Sequence, residues 1–203
     1  EVVWGDNQAV AFDGDGDFIR VPHSDLFNFD GDFTIETWFK GHIPEGGSAS
    51  GIVCRYDAFR NITNIMIHNG HLRWYVQGGE QGFIEETLDD VEVDPDVWHH
   101  VGIVRDGNML SLYYDGERVR HIERNYEGIN TQQPLIFGNN YHPDSQEFNA
   151  PFVGSIDEVR LWNVGRTSEQ LRGSMYDEID PATDGLVGYW TCNRNEDEVV
   201  ADL

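Results

Sequence analysis

The stretch FTIETWF, residues 33–39, alternates apolar and polar side chains and decides the fold class. Successive residues of a β-strand point to opposite faces of the sheet. One face would therefore carry Phe33, Ile35, Thr37 and Phe39, and the other face Thr34, Glu36 and Trp38. This period of two predicts a β-strand rather than a helix.

Similar short runs recur along the whole chain, and Gly, Asp and Asn separate them. We predict further strands at residues 9–12, 18–21, 51–56, 63–68, 71–78, 97–105, 109–115, 118–122, 134–138, 152–162 and 185–192. Two-residue hairpin turns are predicted where both turn positions favour a positive φ. The candidates are Asn69-Gly70, Asp106-Gly107 and Asp115-Gly116.

The sequence predicts one short helix late in the chain. Thr167 or Ser168 can cap its N-terminus, and Glu169 lies in its first turn. Leu171 and Met175 are four residues apart and would share one face. Many short strands with a single helix predict an all-β fold, a two-sheet antiparallel β-sandwich or jelly roll.

The charge composition excludes several classes of partner. The chain has 13 Lys and Arg residues against 37 Asp and Glu residues, a formal net charge of −24. Nucleic acids and anionic lipid surfaces require clustered cations, so we expect neither nucleic-acid binding nor membrane insertion. No apolar run reaches the roughly 18 residues of a membrane span. Aromatic residues make up 12% of the chain, which argues against an acidic disordered protein.

The excess of carboxylates also predicts an environment. Lys40 is the single lysine of the chain, so nearly all its cations are arginines. Salt or divalent cations would screen the repulsion among the carboxylates. We therefore expect either a halophilic protein or a secreted protein in a calcium-rich marine setting.

The two cysteines and a pair of adjacent histidines are predicted to be structural. Cys54 and Cys192 each follow apolar residues and should be small buried residues, with a bridge between them possible. His99 and His100 would point to opposite faces of a strand and could not chelate one ion together. We expect them in the core or in cross-strand hydrogen bonds.

Several segments together resemble one known family. They are AVAFDGDGDFIRVP (9–22), FNFDGDFTIETWFK (27–40), VWHHVGIVRDGNMLSLYYDGERV (97–119), FVGSIDEVRLWNVGRTSEQL (152–171) and DGLVGYWTCN (184–193). Their order and spacing resemble the LamG-like jelly-roll (laminin G-like) domains of the concanavalin A-like lectin/glucanase superfamily. The resemblance covers roughly residues 9–193 and implies two packed antiparallel sheets with neighbouring N- and C-terminal strands. We expect residues 1–203 to form a single domain, a piece of a longer multidomain protein.

The run DGDGD, residues 13–17, is the strongest chemical signal in the sequence. Alternate carboxylates with glycines between them can turn tightly and direct oxygen ligands at one hard cation. An acidic, solvated turn is the alternative. The resemblance implies a structural calcium where this loop meets the Ile-Asp-Glu-Val strand, which here carries Asp157. Calcium is thus the expected cofactor, with Asp17 and Asp157 as side-chain ligands and Asp13 or Asp15 completing the shell.

Three loops combine aromatic faces with amide and carboxylate groups, the mixture that stacks on sugar rings and binds their hydroxyls. They are residues 56–61, 77–81 and 139–149. The predicted ligand-binding residues are Tyr56, Arg60, Asn139, Asn140, Tyr141 and Asp144. The alternative is that these are merely exposed loops of a sandwich.

The sequence does not predict an enzyme. Residues 178–180, Glu-Ile-Asp, resemble the start of the Glu-x-Asp-x-x-Glu strand of related glycoside hydrolases. Thr183 stands at the sixth position, however, and Pro181 removes an amide donor that a central strand needs. A lyase that uses a Tyr/His pair stays open.

The expected function is therefore a non-catalytic, calcium-stabilised recognition module of a secreted or cell-surface protein. A glycan or surface polysaccharide is the expected partner, for carbohydrate binding or adhesion. One alternative is a structural or protein–protein interaction spacer domain without sugar binding. Another alternative is a polysaccharide-active enzyme, either a hydrolase or a lyase.

Overall fold

The computed structural model describes residues 9–57, 61–78, 84–125, 127–194 and 200–202, with the backbone alone for 194 and 200–202. Its first eight strands are β1 (Val10–Asp13), β2 (Ile19–Val21), β3 (Phe33–His42), β4 (Ala49–Asp57), β5 (Asn61–His68), β6 (His71–Gly78), β7 (Ile84–Glu92) and β8 (His99–Asp106). The others are β9 (Met109–Tyr114), β10 (Glu117–Glu123), β11 (Leu135–Phe137), β12 (Tyr141–His142), β13 (Glu147–Phe148), β14 (Val153–Trp162), β15 (Leu186–Arg194) and β16 (Val200–Asp202). A 3₁₀ turn covers Asp25–Phe27, and the helix α1 covers Ser168–Ser174.

These strands form two antiparallel sheets, which confirms the predicted all-β sandwich. The eight-stranded sheet has the order β10-β9-β8-β3-β14-β15-β16, and β1 also pairs with β14. The six-stranded sheet has the order β2-β11-β4-β5-β6-β7. Strands β1 and β15 pair with different parts of β14, so strands from near the two ends of the described chain lie together.

The core lies between the two sheets and follows from the alternation in FTIETWF. Phe33, Ile35 and Phe39 belong to the main hydrophobic cluster, as the period of two predicted. From the facing sheet, Ile65 and Trp74 enter the same cluster. Full burial of one such side chain contributes about 1.5–3 kcal/mol, so this layer holds the sheets together.

The hairpin turns agree with the sequence at two of the three predicted places. Asn69 and Gly70 have φ values of 51° and 84°, and Asp115 and Gly116 have 50° and 77°. The prediction of Asp106-Gly107 is wrong by one residue. Asp106 pairs with Met109, so the two-residue loop is Gly107 and Asn108.

The long strand β7 was not predicted, because its apolar residues do not alternate. Ile84, Leu88 and Val91 are spaced by four and then three residues, which resembles a helical period. The pairing of β6 with β7 shifts between His71 and Arg73, and this bulge breaks the period of two. The two-residue strands β12 and β13 are too short to give a periodic signal.

Helix α1 begins where the sequence predicted. Thr167 is the N-cap, and its side chain accepts a hydrogen bond from the Gln170 N–H in a capping box. Leu171 is fully buried, and Met175 follows as the C-cap. Within the described part of the chain, no helix is long and apolar enough to cross a bilayer.

Helix α1 covers a buried layer of charges on the outer face of the eight-stranded sheet. Glu36 is completely buried there. Its Oε1 accepts hydrogen bonds from Trp162 Nε1 at 2.7 Å and Arg166 Nη1 at 2.6 Å. Its Oε2 lies 3.1 Å from His100 Nε2. Burial alone would raise the pKa of Glu36, but the His100 hydrogen bond and the charges of His100, Arg160 and Arg166 outweigh it and lower the pKa to about 2.

The same layer ties the sheet to the end of the helix. Glu158 Oε2 accepts hydrogen bonds from Arg160 Nη2 and the Tyr189 hydroxyl, both at 2.5 Å. Arg160 also donates to the Ser174 carbonyl at 3.0 Å, and Trp38 Nε1 donates to the Met175 carbonyl at 2.6 Å. Cations near a helix C-terminus are favourable because they face its unpaired carbonyls.

The cysteines and histidines occupy the structural positions that were predicted. Cys54 and Cys192 are both buried and free, so the possible bridge is not formed. His99 and His100 face opposite sides of β8. His99 Nδ1 lies 2.9 Å from Asp115 Oδ2, and His100 pairs with Glu36.

Candidate functional site

The outer face of the six-stranded sheet carries a row of side chains in register. Cys54 on β4 pairs with Asn64 on β5, which pairs with Tyr75 on β6, which pairs with Glu85 on β7. Alternation turns their neighbours, such as Ile65 and Trp74, towards the core. The row therefore forms a floor that faces away from the sandwich interior.

A pocket with a volume of about 380 Å³ stands on this floor. Ligand pockets in proteins commonly have volumes of about 300–1,000 Å³. Its lining combines apolar, aromatic and amide side chains with one carboxylate among the described residues. The lining residues are Ser48, Ala49, Tyr56, Ile62, Asn64, Met66, Tyr75, Glu85, Asn140, His142, Asn149 and Ala150.

One wall of the pocket is the β12–β13 hairpin, held against the sheet by asparagine side chains. Asn139 Oδ1 accepts hydrogen bonds from the backbone N–H groups of Asn140 and Ala150, at 2.9 and 3.1 Å. Asn140 Oδ1 accepts one from Asn64 Nδ2 at 3.3 Å, which joins the wall to the floor. Asn149 Oδ1 accepts a longer one from Asn140 Nδ2 at 3.4 Å.

An aromatic pair stands where β4 meets this wall. The rings of Tyr56 and His142 have centroids 4.4 Å apart, and His142 Nε2 lies 3.2 Å from Asn140 Nδ2. Burial, with smaller effects of the Asp144 charge and of Tyr75, raises the pKa of Tyr56 to about 12. Tyr56 is therefore a neutral phenol at physiological pH.

Tyr75 and Glu85 form the opposite side of the pocket. The Tyr75 hydroxyl donates to Glu85 Oε1 at 3.1 Å, and Arg73 also donates to this oxygen. The Arg73 guanidinium lies 4.7 Å from the centre of the Tyr75 ring. Burial, followed by the opposing charges of Arg73 and Glu85, raises the pKa of Tyr75 to about 12.

The structure brings some of the predicted ligand residues together and leaves others apart. Tyr56 and Asn140 line the pocket. Asn139 lies behind the wall and positions it. Tyr141 packs against Phe148, with ring centroids 5.0 Å apart, and does not line the pocket. Asp144 is exposed in the turn of the hairpin, and Arg60 lies outside the described residues.

Sequence reasoning missed the floor of the pocket. Asn64, Tyr75 and Glu85 were not predicted to bind ligand, although all three line the pocket. Asn149, which also lines the pocket, is the last residue of the predicted loop 139–149 but was not singled out. The signal that could have found Asn64 is its position between Ile62 and Met66, on the face opposite the core residues of β5. Tyr75 and Glu85 become its neighbours only through strand pairing.

The four predicted calcium ligands do not form one cluster. Asp13 pairs with Val153, whereas Asp157 lies four residues farther along β14, or about 13 Å. The loop after Asp13 continues away from Asp157, because β1 runs antiparallel to β14. Asp157 is buried, and its Oδ1 accepts the Glu158 N–H at 2.9 Å. The predicted pairing of Asp157 with the loop therefore does not fit this structure.

The loop itself turns back on the carboxylates of Asp13 and Asp17. Gly14 and Gly16 have φ values of 83° and 88°, which allow the tight turn. Asp15 N–H donates to Asp13 Oδ1 at 2.8 Å, and Asp13 N–H donates to Asp17 Oδ2 at 3.2 Å. Among the described residues no group of three or more His, Cys, Asp or Glu has the geometry to hold a metal ion. Calcium binding by this loop stays a prediction.

A second groove, of about 540 Å³, lies between the β8–β10 edge of the other sheet and helix α1. Two of its cations are already engaged by protein groups. Arg166 pairs with Glu36, and Arg172 pairs with Glu117 and donates to the Gly116 carbonyl. The pocket on the six-stranded sheet offers more aromatic surface and is the better candidate site.

Comparison with known proteins assigns the family. Residues 13–172 match the Laminin_G_3 family of the concanavalin A-like lectin/glucanases superfamily. The chain belongs to this family. No curated protein sequence matches the chain at a significant level.

Solved structures of this family's fold are similar over most of the chain. A candidate carbohydrate-binding protein from Bacteroides ovatus is 21% identical, with a TM-score of 0.68, over 96% of this chain and 54% of that one. The present chain thus spans about half the length of that protein. The CBM40 domain of the Ruminococcus gnavus IT-sialidase, bound to α2,3-sialyllactose, is 14% identical, with a TM-score of 0.62, over 82% and 95% of the two chains.

A third similar structure is domain 4 of AbnA, an extracellular arabinanase from Geobacillus stearothermophilus, in complex with arabinotriose. It is 17% identical, with a TM-score of 0.61, over 81% of this chain and 75% of that one. At these identities the similarity shows the fold. These neighbours are binding domains, and some belong to enzymes.

Proposed function

We propose that this protein is a non-catalytic carbohydrate-binding module and that its glycan binds in the pocket on the six-stranded sheet. The proposal rests on one observation, the meeting of the Tyr56 and His142 rings with amide and carboxylate groups in a single pocket. Aromatic rings can stack on the apolar faces of sugar rings, and amides and carboxylates can bind the hydroxyls around them. Similar structures that bind sialyllactose and arabinotriose support it.

The charges of the pocket argue for binding rather than for catalysis. A glycoside hydrolase of the usual kind needs two carboxyl groups on either side of the sugar bond. Among the described residues that line the pocket, Glu85 is the single carboxylate. Burial raises the pKa of Tyr56 to about 12, so this phenol is poorly suited to act as a general base. The segment at residues 178–180 is not a strand, and Glu178 and Asp180 are exposed.

The proposal includes a secreted or cell-surface location, where such a module would meet polysaccharides. It also includes adhesion, if the glycan is carried by another surface. A spacer domain without sugar binding is the competing function, and it would leave this pocket without a ligand.

The proposal is tested by screening the protein on an array of neutral and acidic oligosaccharides. Calorimetry then measures the affinity for each ligand found. Tyr56→Ala should weaken binding about tenfold, the effect of losing about 1.4 kcal/mol of ring contact. Asn149→Ala should also weaken it, and this exposed side chain can be removed without disturbing the core. The control is Tyr176→Ala, which removes an exposed ring on the other side of the sandwich. Full affinity in both pocket variants would place the site elsewhere, and no binding by the folded wild type would favour the spacer.

A further inference from the structure

The carboxylate of Glu85 has one engaged oxygen and one available oxygen. Arg73 and the Tyr75 hydroxyl both donate to Oε1. In the described part of the chain, Oε2 has no hydrogen-bond partner, and 40% of the side chain is exposed. Because Glu85 lines the pocket, Oε2 can accept a hydrogen bond from a ligand that enters it.

Among the described residues that line the pocket, there is neither Arg nor Lys to balance a negatively charged ligand. The neighbouring guanidinium of Arg73 is engaged by Glu85. Asp144 stands close enough to Tyr56 for its charge to act on the phenol, and the whole chain carries a net charge of −24. An anionic group on a ligand would thus meet repulsion both locally and at long range.

We infer that the pocket selects neutral, hydroxyl-rich sugars and rejects sialylated, sulfated or uronic forms, with Glu85 as the residue that sets this selection. The inference rests on the proposed glycan site and adds the class of glycan. A sugar hydroxyl can donate to Glu85 Oε2 in a charge-assisted hydrogen bond. A ligand carboxylate or sulfate at that place has no proton to donate, and two like charges would face each other.

The selection is measured by calorimetry on matched pairs, each neutral oligosaccharide that binds on the array and its sialylated, sulfated or uronic derivative. We expect the neutral form to bind at least about tenfold more tightly, a difference of about 1.4 kcal/mol. The difference should shrink in 1 M NaCl, because salt screens partly exposed charges.

Two substitutions should shift the selection in opposite directions. Glu85→Gln keeps an oxygen acceptor but removes the charge, and should reduce the preference for neutral sugars to less than about threefold. Arg73→Gln leaves Glu85 without its cation and should increase the preference. Loss of structure would not produce opposite shifts. Glu92→Gln, at the exposed end of the same strand, is the control with the same change of net charge.

Each result decides the inference. Equal or tighter binding of acidic sugars, lost in Tyr56→Ala, would overturn the selection and leave the glycan site in place. If Arg60→Ala abolished that binding, Arg60 would be the residue that receives the acidic group. Parallel shifts in Glu85→Gln and Arg73→Gln would also overturn the role of Glu85. No binding of any sugar would reject the glycan site together with the inference.

Discussion

The outer faces of the two sheets use polar side chains in opposite ways. On the eight-stranded sheet, Glu36 and Glu158 lie beneath helix α1 and are engaged by Arg, His, Trp and Tyr side chains of the same chain. On the six-stranded sheet, the polar row ends in Glu85, whose Oε2 has no hydrogen-bond partner among the described residues and whose side chain is 40% exposed.

The difference indicates which face contributes mainly to stability and which face leaves polar groups open to a ligand. A buried charge is tolerated only when other groups of the protein satisfy it. The outer face of the eight-stranded sheet beneath helix α1, the covered face, therefore has few polar groups left to bind a partner. The outer face of the six-stranded sheet, the open face, does not need partners from the protein for every polar group, because water or a ligand can complete its hydrogen bonds. Substitutions on the two faces should therefore affect different properties.

The largest effect on stability is expected from a substitution on the covered face. Glu36→Ala should reduce the free energy of unfolding by about 3–5 kcal/mol, because it leaves His100 and Arg166 buried without their carboxylate. Urea unfolding followed by tryptophan fluorescence measures the loss. The matched change on the open face is Glu85→Ala, where a partly exposed pair contributes about 0–1 kcal/mol. Similar losses in the two variants would contradict the comparison.

The covered face should also give the protein an acid-sensitive stability. The pKa of Glu36 is lowered from its ordinary 4.5 to about 2, so its ionisation stabilises the fold above pH 4.5. This stabilisation, about 3 kcal/mol, is lost progressively as the pH falls from 4.5 to about 2, because the unfolded state then binds a proton that the folded state does not. Unfolding of the wild type and of Glu36→Gln between pH 6 and pH 2 measures it. The difference in the free energy of unfolding between the wild type and Glu36→Gln should narrow at low pH. A difference that stays constant would show that Glu36 does not titrate in this way.

A smaller effect is expected in the wall of the open pocket. Asn139→Ala removes the acceptor of two backbone N–H groups and should cost about 1–3 kcal/mol. It should also weaken glycan binding, although Asn139 does not line the pocket, because Asn140 and Ala150 would shift. Thermal unfolding and calorimetry measure the two effects. Asp144→Ala, in the exposed turn of the same hairpin, is the control for stability, and a stable Asn139 variant with full affinity would show that the wall does not depend on this residue.

The smallest effect on the stability of the fold is expected from calcium binding. The loop at residues 13–17 lies close to the wall, because Phe18 stacks on Phe148 with ring centroids 4.0 Å apart. If its three exposed carboxylates bind calcium, a concentration equal to Kd would stabilise the fold by only about 0.4 kcal/mol. Melting curves in EGTA and in millimolar calcium measure this.

Two substitutions sharpen the calcium test. Asp17→Asn should abolish the calcium-dependent part, whereas Asp157→Asn should leave it, because Asp157 lies about 13 Å along the strand from the loop. Loss of the effect in both variants would restore the four-carboxylate site that the sequence predicted. Identical wild-type curves with and without calcium would remove the loop as a site.

The success of sequence reasoning depended on how local the signal was. The strand β6 was predicted with its observed bounds, because His71–Gly78 alternates between two turn signals. The strand β7 was missed, because a bulge with β6 puts its apolar residues at helical spacing. The helix was found because its cap, Thr167, and its buried Leu171 lie within one short segment.

The candidate site was predicted only where loops carried it. Tyr56 and Asn140 stood out in predicted loops that combine aromatic rings with amide and carboxylate groups, and both line the pocket. Asn64, Tyr75 and Glu85 lie inside strands, where a sequence cannot tell an outward side chain that meets solvent from one that meets a ligand.

The sequence by itself determined the two-sheet fold, the two faces of the strand at residues 33–39 and the short capped helix, because periodicity and capping act over a few residues. Tertiary structure alone decided that Asn64, Tyr75 and Glu85 form one row, that Asp157 lies away from the acidic loop, and that Glu36 is buried among cations. Each of these depends on strand register and on the packing of distant segments. Register is set by the turns, the bulges and the hydrophobic faces of all the strands together, so it cannot be deduced from one segment alone.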